Sequence, residues 1–242
     1  MKKLSFIIGM MLIAGCQVVS PTSEPFEQQT SASNISEAAI LSSSENSANE
    51  PPLQTFENRE AGFSLEYPST IGIDAGGNET PDKLTLSIAV QKVEDLDAPL
   101  GNDRQTAALN MKALKKIEFG PDMDFLLQDS KRIFAIGTIY GKSFMTLGRF
   151  EVCSIVFDRS LIFYRNDYQV RLTLHAPATA MVESMPHYFT TDTANCGQEK
   201  VWDSQNNAQA RFYADLTSGK ASPLAEQWFT TFDRIVRSIG LL

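Results

Sequence analysis

The sequence predicts an α+β domain built around an antiparallel sheet, set behind an export signal and a disordered tether. Three observations lead there. Residues 132–176 read as successive short strands separated by turn residues. Helical periodicity flanks that block on both sides, most clearly over 222–240. The composition also changes at Thr55, from a polar, Ser- and Glu-rich run to alternating apolar text. The expected organisation is a signal peptide over 1–15, a lipidated tether over 16–54 and one globular domain over 55–242.

Lys2 and Lys3 precede an apolar run from Leu4 to Ala14. A run of about a dozen residues suits an export signal and falls short of the roughly 20 that span a bilayer. Ala14 and Gly15 are small and lead directly to Cys16. The run Ile13-Ala14-Gly15-Cys16 resembles the lipobox of bacterial lipoproteins. That resemblance implies a diacylglycerol on the Cys16 sulfur, cleavage just before it and acylation of the new amino group. Several acyl chains anchor stably where one is marginal. The alternative is an ordinary secretory signal that happens to contain a cysteine. Lipidation places the chain in the bacterial cell envelope, held to the membrane by its N-terminus. Gln17 stands where an aspartate would signal inner-membrane retention. In a host with two membranes this favours the outer membrane, facing the periplasm.

Residues 17–54 hold few large apolar side chains. Such a segment cannot bury enough surface to offset its ordering entropy, hence the expectation of a disordered tether. About 38 flexible residues span roughly 30–40 Å. Within the domain, "FSLEYP" alternates Phe63, Leu65 and Tyr67 against polar neighbours, a strand that Pro68 ends. "KLTLSIAVQKV" puts Leu84, Leu86, Ile88 and Val90 on one face of a second strand. Asn102 or Asp103 caps a predicted helix through about Glu118, with Ala107, Ala108, Met111 and Leu114 along its inner side. Lys112, Lys115 and Lys116 suit its C-terminal dipole, and Gly120-Pro121 stops it.

Five strands are then expected: "RIFAIGTIY", "SFMTLGRF", "EVCSIVF", "LIFYR" and "YQVRLTLHA". Turns at Gly141-Lys142, Asp158-Arg159 and Asn166-Asp167 divide them. Val170, Leu172, Leu174 and Ala176 form the last buried stripe. Residues 178–205 read as irregular with short helical pieces, and a helix covers about 206–217. In the last helix Ser222 is the N-cap and Pro223 the first residue. Leu224, Trp228, Phe232, Ile235, Val236 and Ile239 recur at helical spacing, and Gly240 ends it.

"FENREAGFSLEYPS" (56–69) and "WFTTFDRIVRSI" (228–239) resemble the opening strands and closing helix of the PsbP-like family. The resemblance implies an α/β/α sandwich around an antiparallel sheet. The family holds photosystem extrinsic subunits, Ran-binding Mog-type proteins and many bacterial lipoproteins, and it shares no common catalytic set. The chain departs from the pattern in Ser69-Thr70-Ile71, where a Trp often follows Tyr-Pro, and around 178–205.

The formal net charge is −8, and loss of residues 1–15 removes two lysines and no acid. So acidic a chain argues against nucleic acid as a partner and against lying flat on anionic lipid. Cys153 and Cys196 are a disulfide candidate, since export places them where paired thiols oxidise. A loop of about 44 residues would gain roughly 4 kcal/mol on the chain-entropy account. The alternative is two unrelated buried thiols.

Other site signals are sparse. Arg171, Thr173 and His175 share one strand face with Gln169 and form a weak ligand-face candidate. The ordinary reading of His175 is a solvent-facing strand residue, and that of His187 in "MPHYF" a loop or surface one. "DLD" (95–97) and "DMD" (122–124) lack the Gly and Glu of a calcium loop. Gly76-Gly77 is an isolated turn, and no GxSxG occurs. No metal set, cofactor or catalytic constellation is expected. The sequence therefore points to a lipid-anchored, non-enzymatic envelope protein that binds a protein partner. The alternatives are a small-molecule or metal-binding lipoprotein and an envelope enzyme. The enzyme would need His175 or His187 brought beside an acid or Cys.

Overall fold

A computed structural model describes residues 50–74, 82–96, 104–121, 126–147, 155–189 and 199–242, with side chains from 207 onward in the last stretch. Cys16, Cys153, Cys196, Asn102, Asp103, Gly76-Gly77, "DMD" and Asp97 of "DLD" lie outside these residues.

The largest sheet follows from the alternation in its strands. β3 (Gly72–Asp74), β4 (Thr85–Lys92), β5 (Arg132–Ile136), β6 (Ile139–Thr146), β7 (Asp158–Arg165) and β8 (Tyr168–His175) are joined in the order β3-β4-β8-β7-β6-β5. Every pairing is antiparallel except β3 with β4. Val170, Leu172 and Leu174 are fully buried, and Ala176 nearly so. Asn166 and Asp167 both take left-handed backbone, φ 48° and 64°, which makes the two-residue turn that matches strand twist. Arg165 pairs with Tyr168, so Asp158 falls opposite His175.

Two expected turns are strand instead. Gly141 and Lys142 lie inside β6, and the turn is Gly137-Thr138, with Gly137 at φ 54°. Gly141 is a packing glycine: a Cβ there would stand 2.9 Å from a Leu161 methyl. Asp158 and Arg159 open β7 rather than turning the chain. The expected strand "EVCSIVF" has no strand at its described residues, Ile155–Phe157. The expected five-strand run is thus a four-strand meander among the described residues.

Helices cover both faces. On one lie α2 (Ala178–Ser184), α3 (Glu199–Thr217) and α4 (Pro223–Arg237). The helix expected at 206–217 starts seven residues earlier, at Glu199. Ser222 Oγ accepts the Ala225 N–H at 3.3 Å and Pro223 holds the first position, so α4 begins as its sequence dictates. Trp228, Phe232, Ile235 and Val236 turn inward, each contributing about 2–3 kcal/mol by burial. The Trp228 indole N–H donates to the Leu174 carbonyl at 2.9 Å. Arg159 crosses from β7 to α4. It donates to the Phe229 carbonyl at 2.6 Å, meets Asp233 at 2.7 Å and lies over the Phe229 ring.

Beside α4, β1 (Leu53–Asn58) and β2 (Phe63–Pro68) form a hairpin that β9 (Gly240–Leu241) extends. Gly240 therefore opens a strand. The helix closes earlier, at Arg237, and Ser238 Oγ takes the Glu66 N–H at 2.9 Å. Phe63, Leu65 and Tyr67 join the core under α4.

On the other face of the large sheet lies α1 (Arg104–Leu114). It ends four residues before the expected limit. The Ile117 N–H donates to the Leu114 carbonyl and the Glu118 N–H to the Ala113 carbonyl, both at 3.0 Å. This is a Schellman closure, with Ile117 in the left-handed position at φ 61°. Its buried side is Ala107, Asn110, Ala113 and Leu114; Ala108 is exposed, contrary to expectation. Asn110 turns inward because Lys142 beneath it needs an acceptor. The layers are therefore helices, antiparallel sheet, helix: the α/β/α arrangement.

Candidate functional site

Strand alternation sends Asp158, Ser160, Ile162 and Tyr164 of β7 to the face opposite the main core. Gln169, Arg171, Thr173 and His175 of β8 share that face, as do Thr85 and Ser87 of β4. At one end this face is a continuous polar row. His175 Nδ1 lies 2.7 Å from Asp158 Oδ1, and its Nε2 lies 2.9 Å from Ser87 Oγ. Thr173 and Ser160 hydroxyls meet at 3.0 Å beside it. The His175 side chain is 26% exposed and that of Asp158 18%, so the row is reachable at its rim.

His175 is thus no freely solvated strand residue. Three adjacent strands bring an acid, an imidazole and a hydroxyl into line. Asp158, which can only accept as a carboxylate, orients the ring through Nδ1–H, and the Ser87 hydroxyl closes the row at Nε2. This meets the condition that an enzyme reading set for His175. The paired strands on either side of Ser87, however, are the partners for its backbone. Ser87 thus sits inside a sheet, unlike the strand-to-helix turn that presents a hydrolase nucleophile beside oxyanion-binding N–H groups.

The other end of the face is basic and drier. Lys142 is 3% exposed. Its Nζ donates to Asn110 Oδ1 at 2.7 Å and to the Pro121 carbonyl at 2.6 Å, and it sits 5.1 Å from the Phe119 ring. Burial, then the nearby Arg171 and Lys131 cations, pull its pKa down to about 8. Burial likewise lowers Arg171 and raises the Tyr164 phenol. Leu126, Phe144 and Ile162 form a small apolar cluster on this same face.

Of the three sequence candidates, Thr173 and His175 belong to the polar row, while Arg171 lies toward the Lys142 end. Sequence reading missed Ser87, Asp158, Ser160 and Lys142. Asp158 was within reach: with the turn at Asn166-Asp167, counting back the hairpin puts it opposite His175. His187 is exposed and sits against the Tyr188 ring, with 4.0 Å between centroids. Among the described residues no group of three or more His, Cys, Asp or Glu could hold a metal ion. No helix among them is long and apolar enough to cross a membrane.

No family model matches the chain. No curated protein matches it either. Among solved structures, the solution structure of cyanobacterial PsbP (CyanoP) from Synechocystis sp. PCC 6803 is similar at 12% identity and a TM-score of 0.35. The similarity covers 84% of this chain and 99% of that one. At that identity and TM-score it carries no argument about this chain's family, activity or partner.

Proposed function

We propose that this chain is a lipid-anchored protein of the bacterial cell envelope whose domain acts as a non-enzymatic protein-interaction module. The observation that carries the reading is the succession at the N-terminus. Two lysines, a short apolar run and Ile13-Ala14-Gly15-Cys16 lead into a long polar segment before the folded domain. That order suits a domain held at a membrane and free to meet a protein partner. In a host with two membranes, Gln17 favours the outer membrane, facing the periplasm. The test is crosslinking in intact cells followed by capture from detergent-solubilised membranes, run beside Cys16→Ala. A defined envelope protein enriched with the wild type and lost with Cys16→Ala is the expected outcome. Equal and empty captures would count against the module.

A second reading, a small-molecule or acyl-accepting site, draws on the Asp158–His175–Ser87 row. The order acid, imidazole, hydroxyl is the one that activates a serine. An organophosphonate probe followed by peptide mass mapping discriminates. The interaction reading predicts no adduct on Ser87; an adduct that disappears with His175→Gln would favour the second reading.

A further inference from the structure

The outer side of α1 carries charge of one sign. At about 100° per residue, Arg104, Gln105, Ala108, Leu109, Lys112, Lys115 and Lys116 fall within an arc of about 140°, and all are exposed. Four are cations and none is an acid. Lys112 stands three and four residues from Lys115 and Lys116, spacings at which like charges repel. Two bulky apolar side chains accompany them, Leu109 within the arc at 47% exposure and Ile117 just past the helix end at 56%.

Ile117 sharpens the point. Its left-handed backbone is a glycine position, and a β-branched residue there is a genuine outlier. No burial offsets that strain. The helix dipole accounts for lysines near a C-terminus, but it does not account for Arg104 at the first position or for the exposed Leu109. Among the described acids, Glu118 follows the patch, and Glu94 and Asp95 lie on the short turn at Val93–Asp95 that packs against α1, with Glu94 facing Lys92 at 3.6 Å.

We infer that this face docks on an anionic phospholipid surface. The inference rests on the lipid-anchored reading, which keeps the domain within a tether's length of a bilayer. The occupant fits by charge: four cations meet a plane of phosphates while Leu109 and Ile117 enter the headgroup boundary. The net charge of the chain from residue 16 onward, 19 cations against 29 acids or about −10, argues against adsorption of the domain as a whole but does not forbid docking by one face. Screening over about 8 Å at physiological salt makes the local face, about 16 Å long, outweigh acids elsewhere. Basic residues near such a surface act additively at about 1 kcal/mol each, so four cations give weak binding that sedimentation over millimolar lipid detects without an anchor, and an anchor adds proximity to it.

The test uses the chain from residue 16 onward with Cys16→Ser, so that no lipid or signal contributes, and vesicles of phosphatidylcholine with or without 30% phosphatidylglycerol. Sedimentation should show binding to the anionic vesicles alone, weakening as salt rises. Lys112→Glu with Lys115→Glu and Lys116→Glu should weaken it about a hundredfold, with unchanged circular dichroism. Ile117→Gly should raise the melting temperature yet weaken binding, a pairing that a purely structural role would not give. No binding, or equal binding to neutral vesicles, would overturn the inference. So would an unchanged affinity in the charge-reversed chain. Loss of protein capture in that variant without vesicle binding would assign the face to an acidic protein instead. Because the probe chain is unlipidated, these results stand apart from whether Cys16 is acylated.

Discussion

Lys142 shows how much one residue can set. Its ammonium is buried on two hydrogen bonds to neutral acceptors, and its pKa falls from 10.5 to about 8. The folded state therefore holds fewer protons than the unfolded chain between pH 8 and 10.5, and stability rises with pH across that window. The full shift corresponds to about 3 kcal/mol. Tyr164, raised by burial, acts in the opposite sense only above about pH 10. Urea melts at pH 7 and 9.5 should therefore show the wild type gaining stability relative to Lys142→Met. Parallel curves for the two proteins would contradict this account. Ile117→Gly should stabilise by about 1 kcal/mol, since glycine adopts the left-handed closure without strain; denaturant midpoints at fixed slope would check it.

At the scale of elements, α4 holds the molecule together. Trp228 is fully buried, its N–H is bonded to β8 and its ring meets Phe157 edge-on. Trp228→Ala should cost about 3–5 kcal/mol in equilibrium unfolding. Arg159→Ala should cost about 3 kcal/mol, because the cation that fixes Asp233 and the Phe229 carbonyl is lost from a mostly buried position. This element was legible in the sequence, since its cap, its first-position proline and its apolar spacing are all local. The β7–β8 hairpin was half legible. Asn166-Asp167 marked the turn, but Asp158-Arg159 read as another turn because Asp is common there. The pairing of β4 with β8 joins residues almost ninety apart in the chain, and no local signal sets it. Hence His175 was visible as a candidate while its partner Ser87 was not. Gly141 misled for a physical reason: it is a strand glycine required by Leu161 packing, and turn chemistry reads any glycine as punctuation.

For the molecule as a whole, the α/β/α layering leaves two unlike surfaces on the α1 side. One is the half-buried polar row of Asp158, His175 and Ser87; the other is the cationic outer face of α1. An overall acidic composition hid the second, because net charge averages over the chain while helical periodicity collects cations on one side. Neither surface speaks for the N-terminal reading, which rests on residues 1–17 and the polar segment that follows them. The measurement that tests it most directly is intact-mass and N-terminal peptide analysis of the protein purified from host membranes. The account predicts a chain beginning at Cys16 that carries a diacylglycerol thioether, and an uncleaved, unacylated product for Cys16→Ala. A wild-type chain with an unmodified Cys16 thiol, or one cut elsewhere, would contradict it.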